Sequence, residues 1–271
     1  MSFLAAVCQL TSTSDGEGNL RRAEELVRAA AARGARFVGT PENTDYLGPH
    51  AEKVRHAEAL GGPVCARFAA LARELGIHLL LGSIAERSRK PGRCHNTSVL
   101  FGPDGTQLAA YRKLHLFDVD VPGGVAFRES ETVAAGDEVV VAATPLARIG
   151  LSICYDLRFG ELYRALAARG AEVITVPSAF TAATGRAHWE VLLRARAIET
   201  QCWVLAPAQW GRHDDDGLKE SWGQAMIVDP WGEIVAQVPE GVGLALAEVD
   251  LGQVERVRRA IPVAQHRRSF L

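Results

Sequence analysis

The apolar positions of this chain follow two rhythms. Short, nearly continuous apolar runs at residues 3–10, 35–40, 77–84, 147–153, 172–176, 202–208 and 244–249 have the length and content of buried strands. Between them, apolar residues recur every three or four positions at 20–30, 63–75, 160–170, 186–200 and 251–259, which predicts helices. The first helix is expected to start within residues 15–19 and to close on Gly34, and the second has Pro63 at its start and Gly76 after its end. Residues 138–143 add a strand. Two hairpins are expected, one pairing 95–101 with 107–113 around Gly102-Pro103-Asp104-Gly105, the other turning at Asp229-Pro230-Trp231-Gly232. Residues 114–137 hold no regular period and include Pro122-Gly123-Gly124, so a long functional loop is expected there. Residues 210–221 read as a second loop and 262–271 as an irregular basic tail.

Strand, helix and strand in succession predict parallel neighbours. About twelve strands are too many for one comfortable open sheet. Two stacked sheets with helices outside both would bury the apolar strands, so the expected fold is α/β, a four-layer α-β-β-α sandwich. No linker or shift in composition divides the chain, and residues 1–271 read as one domain.

Composition narrows the function classes. A net charge of −2 offers no electrostatic case for nucleic acid or an anionic membrane. No apolar run reaches the ~18 residues of a membrane span, and the start has no basic segment of a signal peptide. Cys8, Cys65, Cys94, Cys154 and Cys202 are odd in number and scattered, which points to free thiols and a cytoplasmic setting. No metal or organic cofactor is implied.

Cys154 ends an apolar strand and precedes a helix, the place where open α/β sheets put their chemistry. On position alone it reads first as a small buried hydrophobe, as most lone cysteines do. Glu42 follows the strand at 35–40, and Lys113 ends the strand at 107–113. If these strand ends converge, a carboxylate, an ammonium and a thiol share one cleft. A thiol near its ordinary pKa of about 8.5 is mostly protonated at neutral pH and needs a base or a positive neighbour. Glu42 supplies the base, and Lys113 with the Tyr155 backbone N–H supplies an oxyanion site, where one donor is typically worth about 3–4 kcal/mol. Taken singly, Glu42 and Lys113 read equally as exposed residues.

Pro41-Glu42-Asn43, Tyr111-Arg112-Lys113-Leu114-His115-Leu116-Phe117-Asp118 and Cys154-Tyr155-Asp156-Leu157-Arg158-Phe159 resemble the three motifs of the nitrilase superfamily of carbon–nitrogen hydrolases, in order and spacing. The resemblance implies a Glu42–Lys113–Cys154 triad, a thioester intermediate, and Glu129 as a second glutamate that holds Lys113. It also places Tyr46, Phe180, Thr181 and Arg186 along the substrate pocket, and it implies a homodimer. The segments around 187–202 and 262–268 are similar to the Nit1 side of the Nit1/Nit2 amidase branch. That side implies cleavage of a small carboxylated, 2-oxoglutaramyl-type amide such as deaminated glutathione; the Nit2 side implies an ω-amidase acting on 2-oxoglutaramate. Arg186 and Gly160 stand where relatives usually carry proline, which leaves the substrate open.

Other readings compete. A papain-like pair of Cys154 with His188 leaves Glu42 and Lys113 without roles. His115 reads as a structural partner of its loop, Trp189 as core or subunit contact, Arg194 and Arg196 as a solvated face or interface ion pairs. His213-Asp214-Asp215-Asp216 reads as a solvated acidic turn. A nitrile remains a possible substrate, because a thiolate also attacks a nitrile carbon. A nitrilase-like binding protein, or a thiol redox sensor using Cys154 without turnover, is the non-enzymatic alternative.

Overall fold

The computed structural model describes residues 1–120, 126–214 and 220–268. The first half runs β1 (Ser2–Leu10), α1 (Gly16–Ala32), β2 (Phe37–Gly39), α2 (Pro63–Leu75), β3 (His78–Arg87), β4 (Cys94–Phe101) and β5 (Gln107–Arg112). Two short paired strands follow, β6 (Asp118–Asp120) and β7 (Ala126–Arg128). Next come β8 (Val141–Ala143), β9 (Arg148–Leu151), α3 (Gly160–Ala168), β10 (Val173–Thr175), α4 (Ala182–Thr200) and β11 (Trp203–Ala206). The chain finishes with β12 (Ala208–Arg212), β13 (Glu220–Trp222), β14 (Met226–Val228), β15 (Ile234–Gln237), β16 (Gly243–Asp250), α5 (Leu251–Ala260) and α6 (Val263–His266).

These strands form two large sheets. One has the order β13-β12-β1-β2-β3-β4-β5, with β16 running antiparallel along β1. The other has the order β15-β14-β11-β10-β9-β8, parallel at its centre. Alternation along β1 shows how they stack. Ala6, Cys8 and Leu10 face a core shared with α1 and α2, built on residues such as Val27 and Phe68. Phe3, Ala5 and Val7 face the second sheet, in a core that continues through Ile149 and Leu205 to Trp189 and Leu193 of α4. Fully burying one large apolar side chain is worth about 1.5–3 kcal/mol, so both faces of β1 hold the sandwich together. The architecture is the four-layer α-β-β-α sandwich, with α1 and α2 on one outside and α3 and α4 on the other.

Local chemistry sets the helix ends. The Asp15 carboxylate accepts from the Gly18 N–H and starts α1. Gly76 takes the left-handed conformation (φ 64°) that closes α2.

Several elements differ from expectation. The apolar run 202–208 is two strands: β11 stops at Ala206 and β12 begins at Ala208 in the other sheet. Pro207, which has no N–H to give to a ladder, stands at the crossing between them. The expected loop 114–137 contains β6, β7 and a 3-10 turn at Glu129–Glu131, elements too short to show a period. Pro122-Gly123-Gly124 lies outside the described residues. The loop 210–221 carries the β12–β13 pairing, α4 begins at Ala182 rather than 186, and the tail forms α6. His213 is buried, with its ring nitrogens 2.8 Å from the Ser12 carbonyl and 2.8 Å from Ser221 Oγ, rather than in a solvated turn. Asp214 accepts from the Ser14 backbone at 2.7 Å, while Asp215 and Asp216 lie outside the described residues. No helix among the described residues is long and apolar enough to cross a membrane.

One glycine brings the strands to the site. At Gly82 a Cβ would stand 2.0 Å from the Thr40 carbonyl oxygen and 2.3 Å from that of Pro41. Those two residues lead directly into Glu42. Gly82→Ala is therefore expected to destabilise the fold by about 1–3 kcal/mol through overpacking and to reduce turnover by displacing Glu42. Urea denaturation with a parallel assay checks this, and an unchanged midpoint with unchanged turnover contradicts it.

Candidate active site

Three strand ends open onto one cleft. Glu42 lies just beyond β2, Lys113 follows β5, and Cys154 lies just beyond β9 in a 3-10 turn, Cys154–Arg158. All three line the same cleft with Glu129. Lys113 is 2% exposed, and its ammonium donates to Glu42 Oε1 at 2.9 Å and to both oxygens of Glu129 at 3.1 and 2.9 Å.

Each carboxylate has further donors. Glu42 Oε1 accepts from Asn96 Nδ2 at 2.8 Å, and its Oε2 accepts from the Ala179 backbone N–H at 2.7 Å. Glu129 accepts from the Phe117 N–H at 2.7 Å and from Asn96 Nδ2 at 3.3 Å. The loop residue Glu129 is therefore buried. Charged groups this deep are tolerated only when paired and hydrogen-bonded.

The electrostatics follow. Burial by itself disfavours the Lys113 charge, but Glu129 and Glu42 outweigh it and hold the ammonium well above its ordinary pKa. Burial likewise opposes ionisation of Glu129, yet Lys113, Lys53 and the Phe117 N–H bring it down to about 2. For Cys154 the balance is opposite. Burial pushes the thiol well above its ordinary value and Glu42 adds to this, while the pull of Lys113 is insufficient to reverse it. Burial and Glu42 thus favour the protonated thiol, and to act as a nucleophile it would need a base to take its proton.

The nucleophile turn is clamped from several directions. Cys154 has φ 47°, a left-handed conformation uncommon for a residue with a side chain. Its N–H donates to the Pro177 carbonyl at 3.0 Å. Asp156 Oδ2 accepts from the Ile153 N–H at 2.9 Å and from the Tyr111 hydroxyl at 2.7 Å, and its Oδ1 accepts from the His115 N–H at 3.0 Å. One buried carboxylate thus ties the cysteine turn to the lysine segment. Arg196, read from the sequence as surface, is buried and donates to the Leu157 carbonyl at 2.9 Å. Tyr155 follows Cys154 in the first turn, where amides have no partner within the turn.

Of the expected pocket residues, Tyr46, Phe180 and Thr181 line the cleft. Arg186 does not: α4 starts earlier than expected and turns it outward, where it is exposed, and Thr184 lines the cleft instead. His188 is exposed, 3.2 Å from Arg158 through Nδ1, and does not line the cleft that holds Cys154. His115 packs flat on Phe159, with ring centroids 3.7 Å apart, and Trp189 is core. Sequence reasoning missed Asn96, Asp156, Arg158 and Lys53. The only signal for Asn96 was a polar cluster, Asn96-Thr97-Ser98, within a strand whose other end is apolar.

Buried carboxylates around a lysine, beside a strand-end cysteine, are the parts that acyl transfer through a thiol needs. The carbon-nitrogen hydrolase family model matches residues 4–259, and the chain belongs to that family. Deaminated glutathione amidase of Homo sapiens is 47% identical, covering 99% of this chain and 83% of that protein. Omega-amidase NIT2 of Homo sapiens is 41% identical, covering 100% of this chain and 96% of that protein. The crystal structure of the C. elegans NitFhit protein superposes with a TM-score of 0.90 at 43% identity, covering 98% of this chain and 65% of that longer one.

Glu129 offers a direct test. Its pKa falls from 4.5 to about 2 on folding, so its ionisation supports the fold fully above about pH 4.5 and ceases to do so as pH falls through about 2. Glu129→Gln is expected to lower stability at neutral pH, with the deficit relative to wild type shrinking as pH falls from 4.5 toward 2. Urea titrations across that range read the deficit, and one that grows on acidification contradicts the assignment.

Proposed function

We propose that this protein hydrolyses the amide bond of deaminated glutathione through a thioester on Cys154. The observation that carries the chemistry is the buried Lys113 ammonium held between Glu42 and Glu129 beside the Cys154 thiol. Cys154 Sγ attacks the amide carbonyl as its proton passes to Glu42. Lys113 and the Tyr155 N–H stabilise the oxyanion. Glu42 then gives the proton to the departing amine nitrogen, and the C–N bond breaks to leave a thioester. Water, deprotonated by Glu42, attacks the thioester carbonyl; the acid leaves, and the proton returns to the thiol. Glu129 takes no proton in this scheme and keeps Lys113 charged and in place.

The identity to deaminated glutathione amidase over nearly the whole chain supports the substrate. So does the cleft, whose aromatic walls Tyr46, Phe117 and Phe180 are accompanied by the cations Lys53 and Arg158. A peptide-like amide with a carboxylate at either end suits such a lining. The ω-amidase reading rests on a lower identity. The family match over 4–259 supports reading the chain as one domain. Exposed Val191 and Ile198 on α4, with exposed Trp231, support a homodimer. Five free, buried thiols support a reducing, cytoplasmic setting.

Cys154→Ala and Glu42→Gln are each expected to lower turnover by about a thousandfold or more, since nucleophile and proton carrier act as a unit, while the far-ultraviolet spectrum stays native. Mass spectrometry of the wild type quenched during turnover is expected to find the acyl group on Cys154. Rates on deaminated glutathione, 2-oxoglutaramate and a simple nitrile should rank in that order; comparable rates on all three contradict the substrate assignment.

A further inference from the structure

Lys53 is a buried cation that the catalytic scheme leaves unused. It follows the 3-10 turn His50–Glu52, is 8% exposed, and lines the cleft. Its Nζ donates to Asn43 Oδ1 at 2.9 Å, and among the described residues no carboxylate forms an ion pair with it. Glu129 feels the Lys53 charge, but among the described residues no carboxylate hydrogen-bonds the ammonium, which carries three donors and spends one on Asn43. The neighbouring carboxylates are committed elsewhere. Glu129 and Glu42 are occupied by Lys113, Asn96 and backbone N–H groups. Asp45 is pushed up to about 7 by burial, which leaves it a weak counter-ion near neutral pH. Lys53 thus brings to the cleft wall an ammonium with donors beyond the one that Asn43 takes.

Lys53 is anchored to Asn43, the residue after Glu42, whereas Arg158 belongs to the Cys154 turn itself. The amine leaves toward Glu42, because Glu42 protonates it. We propose that Lys53 binds a carboxylate carried by the amine portion of the amide substrate. This rests on the function proposed above and deepens it. The amine portion of deaminated glutathione is cysteinylglycine, which ends in a carboxylate. That of 2-oxoglutaramate is ammonia, which has none. Lys53 is then the residue that selects a peptide-type amide over a simple ω-amide.

The test compares deaminated glutathione with the same molecule bearing a C-terminal carboxamide, in wild type, Lys53→Met and Lys53→Arg. Hydrogen bonds to a charged group predict a wild-type preference for the carboxylate of about 10- to 100-fold in kcat/KM, mainly through KM. The preference should fall to about 1 in Lys53→Met and persist in Lys53→Arg. Equal wild-type rates on the two forms overturn the proposal while leaving the function standing, as does a preference unchanged in Lys53→Met. If Lys53→Met does not fold, the wild-type comparison and Lys53→Arg still decide: a wild-type preference that persists in Lys53→Arg supports the proposal, and its loss there overturns it. Hydrolysis of 2-oxoglutaramate with none of deaminated glutathione overturns both readings.

Discussion

The site depends on one buried ammonium. Lys113, almost wholly removed from water, is bound by Glu42 on one side and Glu129 on the other. Removing one partner from a buried pair typically costs about 3–5 kcal/mol, because an uncompensated charge stays behind. The three side chains must therefore be present and aligned together. They come from distant stretches of chain, so the trio also fixes how the β2 end, the β5 end and the segment after β7 sit against one another.

Neutral and charged hydrogen bonds extend this constraint outward. Asn96, on β4, donates to both glutamates, and its backbone carbonyl accepts the Lys113 N–H at 2.9 Å. Asp156 fastens the cysteine turn to Tyr111 and His115 on either side of Lys113. Ala179, beyond β10 of the second sheet, donates to Glu42, which is reached from the first. The cleft lies where the two sheets meet, and Glu42 and Asp156 take partners across that boundary. Such a network resists rearrangement when substrate enters, which is what preorganised electrostatic stabilisation needs.

The same burial sets the chemical problem. Mutual pairing keeps Lys113 and Glu129 ionised against it, whereas at Cys154 burial wins and favours the protonated thiol. On the proposed mechanism the nucleophile is generated only as Glu42 takes its proton, so reactivity is confined to a bound carbonyl. A free thiolate in this cleft would face two carboxylates. On that mechanism the repulsion gives the reason for a thiol paired with its base rather than a preformed ion.

Much of this was legible in the chain. The 3.6-residue period marked α2 at the residues it occupies, and Gly102-Pro103-Asp104-Gly105 marked the β4–β5 turn, because local sterics and amphipathic burial act over a few neighbouring residues. Glu42, Lys113 and Cys154 were each visible as reactive types at strand ends. The depth of Glu129, the reach of Asn96 and Asp156, the left-handed Cys154 and the outward turn of Arg186 were not. Sequence by itself determined the longer elements, the layered fold and the reactive types, since each follows from short-range pattern. Tertiary structure decided which carboxylates share the lysine, how the thiol is protonated and where Lys53 points. Those properties come from burial and from contacts between residues far apart along the chain, which no local pattern encodes.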